Sequence, residues 1–264
     1  MATSPPTRPD RAPRIVLVHG AFNELWGPHE IASRWVPALR DGLWHHGVEI
    51  DDSCVDVCFY GDLFRPDADT IDSEAWKSNR AGAAEVLTKL SGDGDSGDLA
   101  KVLGQAASAA AWERTIDMIT MMTTDPKILG TTLGRLRDLL TDGADVLVAH
   151  SLGTIFTYSL LQREPELEVD TLVTIGCPLG NRAIEAFLVP RGDDGFLPWP
   201  GSVKRWVNVA AVGDHATGDG RLAESFGDRV EDRRVDNGHR AHDPEPYLNS
   251  AATGDAVAEA IRSL

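Results

Sequence analysis

The chain is poor in cysteine, lysine and tyrosine, and it has no long apolar run. Its three cysteines, Cys54, Cys58 and Cys177, make an odd set. Cys54 and Cys58 lie in one strand-like run and stand roughly 13 Å apart if extended, beyond the span of a disulfide. A disulfide framework is therefore not expected, and a reducing compartment fits better. Lys+Arg total 25 against Asp+Glu 41, a formal net charge of −16, and five of the cations are lysines. A surface of that sign repels phosphate backbones and anionic lipid. Nucleic acid is not expected as a partner, and an uncharged or cationic substrate should enter more readily than an anionic one. No window approaches the ~18 uninterrupted apolar residues of a membrane span, so no stable membrane insertion is expected. The Pro/Arg-rich start, MATSPPTRPDRAPR, has no apolar h-region. The expected location is cytoplasmic.

What is present points to one large domain. Hydrophobic residues make up 42% of the 264 and charged residues 25%, ordinary for a chain with a sizeable core. Residues 1–13 carry four prolines and read as a disordered tail, leaving 14–264 as a single domain. Ile15-Val16-Leu17-Val18 is an all-apolar, β-branched run, the signature of a strand buried on both faces. From Pro28 to Gly47 the spacing changes to Ile31, Trp35, Leu39 and Leu43, a helical stripe expected to kink or restart at Pro37. Val55–Tyr60 reads as a second buried strand.

Residues 61–124 form a partly helical, cap-like insertion. It contains the solvated stretch Ser91–Asp98 and an Ala-rich helix from about Leu99 to Met122. The helix's Met118, Met121 and Met122 either pack on the sheet or offer a soft surface to an acyl chain. The acidic stretch is no calcium loop, because its twelfth position is Gly104 rather than Glu. No histidine falls at a metal-ligand spacing, so no metal is expected.

Asp125-Pro126 caps a further helix with Leu129, Leu133, Leu136 and Leu140 on one face, closed by Gly143. Then come strand Asp145–Ala149, helix Leu152–Gln162, strands Thr171–Ile175, Arg205–Val212 and Arg229–Val235, and a final helix bearing Val257, Ile261 and Leu264. This alternation predicts an α/β fold with a mainly parallel sheet in one domain, with a helical insertion.

The sharpest local feature is Val146-Leu147-Val148-Ala149-His150-Ser151-Leu152-Gly153. A strand meets a helix through an A-x-S-x-G turn. A serine at the tip of such a turn sits in strained backbone, and small residues two before and two after it avoid a clash. Its hydroxyl is thereby exposed at a helix N-terminus, where N–H groups favour a developing oxyanion. The pattern alone is weak, since Ala223–Gly227 also matches it. That copy lacks the apolar strand before and the helix after, and is set aside.

A nucleophilic serine needs a base and an orienting acid, which in one common arrangement follow it in the order Ser, Asp/Glu, His. Asp214, just past a sheet strand, is the first candidate for the acid and Asp219 the second. Past the last strand, His242 and His239 compete as base, and His242 is preferred for its longer reach. The oxyanion donors would be the N–H of Leu152 and, in the loop His19-Gly20-Ala21-Phe22, that of Ala21. Phe22, His150 and Trp199 are candidate pocket residues. Trp199 is included because its loop, with Phe196 and Pro198, is expected at the active end of the sheet. His29, His45 and His46 read as surface residues, and His215 as a neighbour of the acid.

The segments IVLVHGAF (15–22), VLVAHSLGT (146–154), TIGCPLG (174–180), VNVAAVGD (207–214) and AHDPEPYL (241–248) resemble the α/β-hydrolase superfamily. HGAFNE through RWVPALRDGL, with FYGDLFRP (59–66), is similar to actinobacterial serine hydrolases of unassigned substrate. Their last loop reads His-x-x-x-x-Tyr-Leu, which falls here on His242, Tyr247 and Leu248 and is the second reason for preferring His242. The resemblance covers about two-thirds of the chain. It implies a doubly wound sheet carrying the triad Ser151, Asp214 and His242, with no cofactor. The expected activity is that of a serine hydrolase on a small-molecule ester, thioester or other acyl substrate. Peptidases, acyltransferases and catalytically silent binding or sensor proteins on the same scaffold are the alternatives.

Overall fold

A computed structural model describes residues 11–92, 109–125, 127–181 and 188–264. Most of the expected tail (1–10), most of the solvated stretch (93–98), the first part of the expected Ala-rich helix (99–108) and Pro126 lie outside the described residues.

Six strands form one sheet: β1 (Ile15–Val18), β2 (Val55–Cys58), β3 (Ala144–His150), β4 (Val169–Ile175), β5 (Val203–Ala211) and β6 (Val230–Val235). Their order is β2-β1-β3-β4-β5-β6, and every pairing is parallel. The helices used below are α1 (Pro28–Trp44), α2 (Ala68–Asp72), α3 (Glu74–Gly92), α4 (Ala109–Thr124), α5 (Lys127–Leu140), α6 (Leu152–Arg163), α7 (Ala223–Phe226), α8 (Pro244–Leu248) and α9 (Ala251–Arg262).

The all-apolar strands are explained by two cores, one on each face of the sheet. On one face Val16, Val18, Leu147, Leu172 and Trp206 pack with Leu133 and Leu136 of α5 and Phe156 and Leu160 of α6. On the other, Ile15, Leu17, Val146, Val148 and Val207 pack with Ile31, Trp35 and Leu39 of α1 and Val257 and Ile261 of α9. Alternate residues of each strand serve opposite layers, as expected of a parallel sheet covered on both sides. The fold is α/β and doubly wound.

Three local expectations are corrected. β2 is not buried along its length: Val55 and Val57 are half-buried, Asp56 is exposed and Cys58 alone is buried. It is an edge strand, with one neighbour and one open side. α1 runs from Pro28 to Trp44 as one helix through Pro37. Trp199 stands at the wrong end of the sheet for a pocket residue. The chain leaves the carboxyl end of β4 and returns to the amino end of β5, where the Trp199 indole N–H donates to Val203 O at 2.9 Å. Its ring lies 5.5 Å from that of Trp206, so its role is packing.

The strand order reverses about β1, whose neighbours are β2 on one side and β3 on the other. In open parallel sheets that reversal leaves a crevice at the carboxyl ends of the strands, where ligands bind. Val18 pairs with Ala149 across β1 and β3, so His19-Gly20 and His150-Ser151 leave the sheet side by side. α2, α3 and α4 lie in the 61–124 segment. α3 and α4 are joined by Arg80 Nε to Asp117 Oδ1 at 2.8 Å and Asn79 to Thr124 at 3.0 Å.

Candidate active site

Ser151 sits between β3 and α6 with φ 52° and ψ −123°. A β-carbon gives no help in that region, so the surroundings must impose the conformation. Ser151 N–H donates to Ile175 O, and Ser151 O accepts from both the N–H and the hydroxyl of Thr154. The turn also needs close approach. A β-carbon on Gly153 would lie 2.4 Å from His19 O, and one on Gly20 would lie 2.8 Å from Ser151 Cβ. Glycine at both positions lets the β1 and β3 loops touch.

His242 Nε2 stands 2.9 Å from Ser151 Oγ. Its Nδ1 stands 2.9 Å from both Asp214 Oδ1 and Oδ2. Nδ1–H therefore donates to the carboxylate, and bare Nε2 accepts from the serine hydroxyl. Asp214 follows β5 and is buried, its side chain 1% exposed, whereas that of His242 is 42% exposed. Burial by itself would raise the Asp214 carboxyl. The hydrogen bond and charge of His242 outweigh it, helped by Tyr247 O–H and Ala216 N–H, and the group ends below its usual range. Asp214 is thus an anion held by three donors.

Tyr247 is a residue whose job the sequence left unassigned. From α8 its hydroxyl donates to Asp214 Oδ2 at 2.5 Å and accepts from Ala211 N–H at 2.8 Å. The phenol ties the acid to the end of β5. Its place five residues after His242, just past one helical turn, was the available signal.

His150 does not face a pocket. It is fully buried, its Nε2–H donates to His242 O at 2.9 Å, and its ring lies 5.9 Å from Trp35. Burial, reinforced by the nearby His242, pushes it down to about 3, so it is neutral and fixes the His242 backbone. His19 behaves alike. Its Nε2 accepts from Tyr60 N–H at 3.0 Å and its Nδ1–H donates to Gly20 O at 2.8 Å, and burial lowers it to about 4.

The competing residues lie elsewhere. Asp219 is exposed and caps Arg221 N–H at 2.9 Å. His239 and His215 are exposed. Ser225, in the second A-x-S-x-G match, is buried within α7. His29 and His45 are exposed as expected, while His46 is half-buried and bonds Ala251 O.

A cleft of about 510 Å³, its open mouth included, adjoins the serine turn. Gly20, Ala21 and Leu152 line it on the sheet side, with Phe22 beside them, and Tyr60 and Phe64 form another wall. Arg114, Asp117 and Met118 of α4 close it from the 61–124 segment. His150 and Trp199 are not in its lining. Met118, Met121 and Met122 are half-buried and also pack against the core. Leu152 N–H opens α6, where the first N–H groups of a helix have no partner within it.

Among the described residues no group of three or more His, Cys, Asp or Glu could hold a metal ion. No described helix is long and apolar enough to cross a membrane. Compared with models of known families the chain matches none, and no curated protein matches it significantly.

Proposed function

We propose that the chain is a serine hydrolase that cleaves a carboxylic ester or thioester through an acyl-enzyme on Ser151. One observation carries this reading: Ser151, His242 and Asp214 form a continuous hydrogen-bonded relay at 2.9 Å per step, with the serine on strained backbone at a helix N-terminus. Ser151 Oγ attacks the acyl carbon as His242 Nε2 takes its proton. Asp214 keeps the imidazole in the required tautomer and stabilises the imidazolium. The oxyanion is met by the N–H groups of Leu152 and Ala21. His242 returns the proton to the leaving alkoxide or thiolate, and water then releases the acyl group by the reverse sequence. A silent binding protein on this scaffold would tolerate a displaced acid or base, and neither is displaced here.

A fluorophosphonate probe tests the reading. Labelling of the wild type, absent in Ser151→Ala, together with a loss of roughly 10³-fold or more in turnover of a p-nitrophenyl ester, is the expected result. A Ser151→Ala protein that keeps its turnover sinks the proposal. Turnover of an amide in preference to the matching ester would move it to the peptidases.

A further inference from the structure

We propose that Arg114 is a positioning residue that latches the helical segment to the oxyanion loop and holds the Ala21 N–H in place. Its effect on turnover rests on the function proposed above; its effect on the loop does not.

The Gly20 carbonyl accepts from His19 Nδ1–H at 2.8 Å and from Asn23 Nδ2–H at 3.0 Å. Gly20 C=O and Ala21 N–H belong to one trans peptide plane and point in opposite directions, so fixing the oxygen fixes the N–H. Asn23 bridges Gly20 O and Ala21 O, the latter at 2.9 Å. The residue before it, Phe22, takes a left-handed φ of 66°. That region disfavours a bulky side chain and needs support from outside.

Arg114, from α4, supplies contacts on both sides of Asn23. Its Nη2–H donates to Phe22 O at 2.8 Å. Nε and Nη2 both donate to Glu24 Oε1, at 2.8 and 2.6 Å. The guanidinium lies 4.8 Å above the Phe22 ring. Each contact is modest alone, because the Arg114 side chain is 39% exposed. Together they grip the carbonyl, the ring and the following carboxylate of the one strained residue in the loop. A lysine ammonium has neither the fork nor the planar face to do all three. With Nε and Nη2 committed to Glu24 and Phe22, the arginine acts on the loop.

The test uses the full chain and two readouts. Hydrogen exchange of the amides in residues 20–24 should quicken in Arg114→Ala and Arg114→Lys, with the strand amides of β3 and β5 unchanged. Turnover of a p-nitrophenyl ester should fall about tenfold in kcat with KM changed less than threefold, a fraction of the 10²–10³ for deleting an oxyanion donor. Adding Phe22→Gly, which accepts the left-handed backbone, should recover at least half of the lost protection of the residue 20–24 amides in the Arg114→Ala background. Unchanged exchange, a loss confined to KM, or no recovery from Phe22→Gly would each overturn the latch. Glu24→Gln removes one grip without touching α4 and should quicken the same amides to a smaller degree; if it leaves them unchanged, the latch fails on that arm too. If the wild type neither labels nor turns over, the hydrolase reading fails while the exchange arm still decides the latch.

Discussion

Ser151 and Asp214 follow closely on the ends of β3 and β5 and His242 sits in the loop after β6, whereas the loop from Gly20 to Glu24 is held by a side chain some ninety residues away. On the first side the supports are short and internal. Thr154 and Ile175 fix the serine turn, Tyr247 and Ala216 hold Asp214, and His150 holds His242. On the second side a strained residue depends on Arg114 from α4. Removing a support from the sheet side should therefore cost chemistry and stability together. Removing Arg114 should cost chemistry while leaving the core intact.

The largest expected contrast is between the two acid candidates. Asp214→Asn keeps the shape but presents an amide to His242 and favours the wrong tautomer, so turnover should fall about 10²–10⁴-fold. Asp219→Asn should stay within about twofold, because that side chain only caps Arg221 N–H on the surface. Equal losses would break the assignment of Asp214 as the acid.

Acidification should next test both sides at once. His19 on the cleft side and His150 on the triad side are neutral in the folded state because burial lowers them to about 4 and about 3. In the unfolded chain both bind protons near pH 6.5, so stability should fall as pH drops from about 6.5 toward 4, by about 3 kcal/mol for His19. The Asp214 contribution is of the opposite ionic kind: it persists above its ordinary 3.8 and disappears as pH falls through its lowered folded value. Urea unfolding at a series of pH values should show a shallower slope between pH 6.5 and 4 in His19→Gln. An unchanged slope would mean His19 is not held neutral.

A smaller loss than that of Asp214→Asn is expected of Tyr247→Phe. It deletes one of three donors to Asp214 and the acceptor of Ala211 N–H. Stability should fall by about 1–2 kcal/mol, the cost of a buried donor left unpaired, and turnover by less than tenfold. The acid limb of the stability profile should move upward, because a lost donor lets the Asp214 carboxyl rise. A shift in stability with no movement of that limb would make Tyr247 a packing residue.

Sheet-end residues were readable in the sequence because their constraints are local. A buried parallel strand must be apolar on both faces, and a strained strand-to-helix turn needs Ala149 and Gly153, so β3 to α6 can be traced letter by letter. Asp214 and His242 follow strands for the same topological reason. Trp199 was misplaced because composition marks a loop without saying whether it leaves one strand or approaches the next. Lying four residues before Val203, it had to stand at the amino end of β5. Arg114 carried no local signal, since its partners Phe22 and Glu24 are distant in the chain and its helix has no distinctive pattern. The open side of β2 escaped notice because edge and centre differ in neighbours, which periodicity does not report.

The position of β1 inside the sheet has a consequence for timing. It is the first of the described strands along the chain, yet its partner β3 follows more than a hundred residues later, and the His242 that faces Ser151 is a further 91 residues on. Long-range parallel pairings of this kind close late in folding. Between its own synthesis and that of His242, Ser151 is therefore an ordinary alcohol. It gains its proton acceptor only when the stretch from His242 to Leu248 docks beside β5. On the function proposed above, the onset of fluorophosphonate labelling would accordingly report when that stretch has docked.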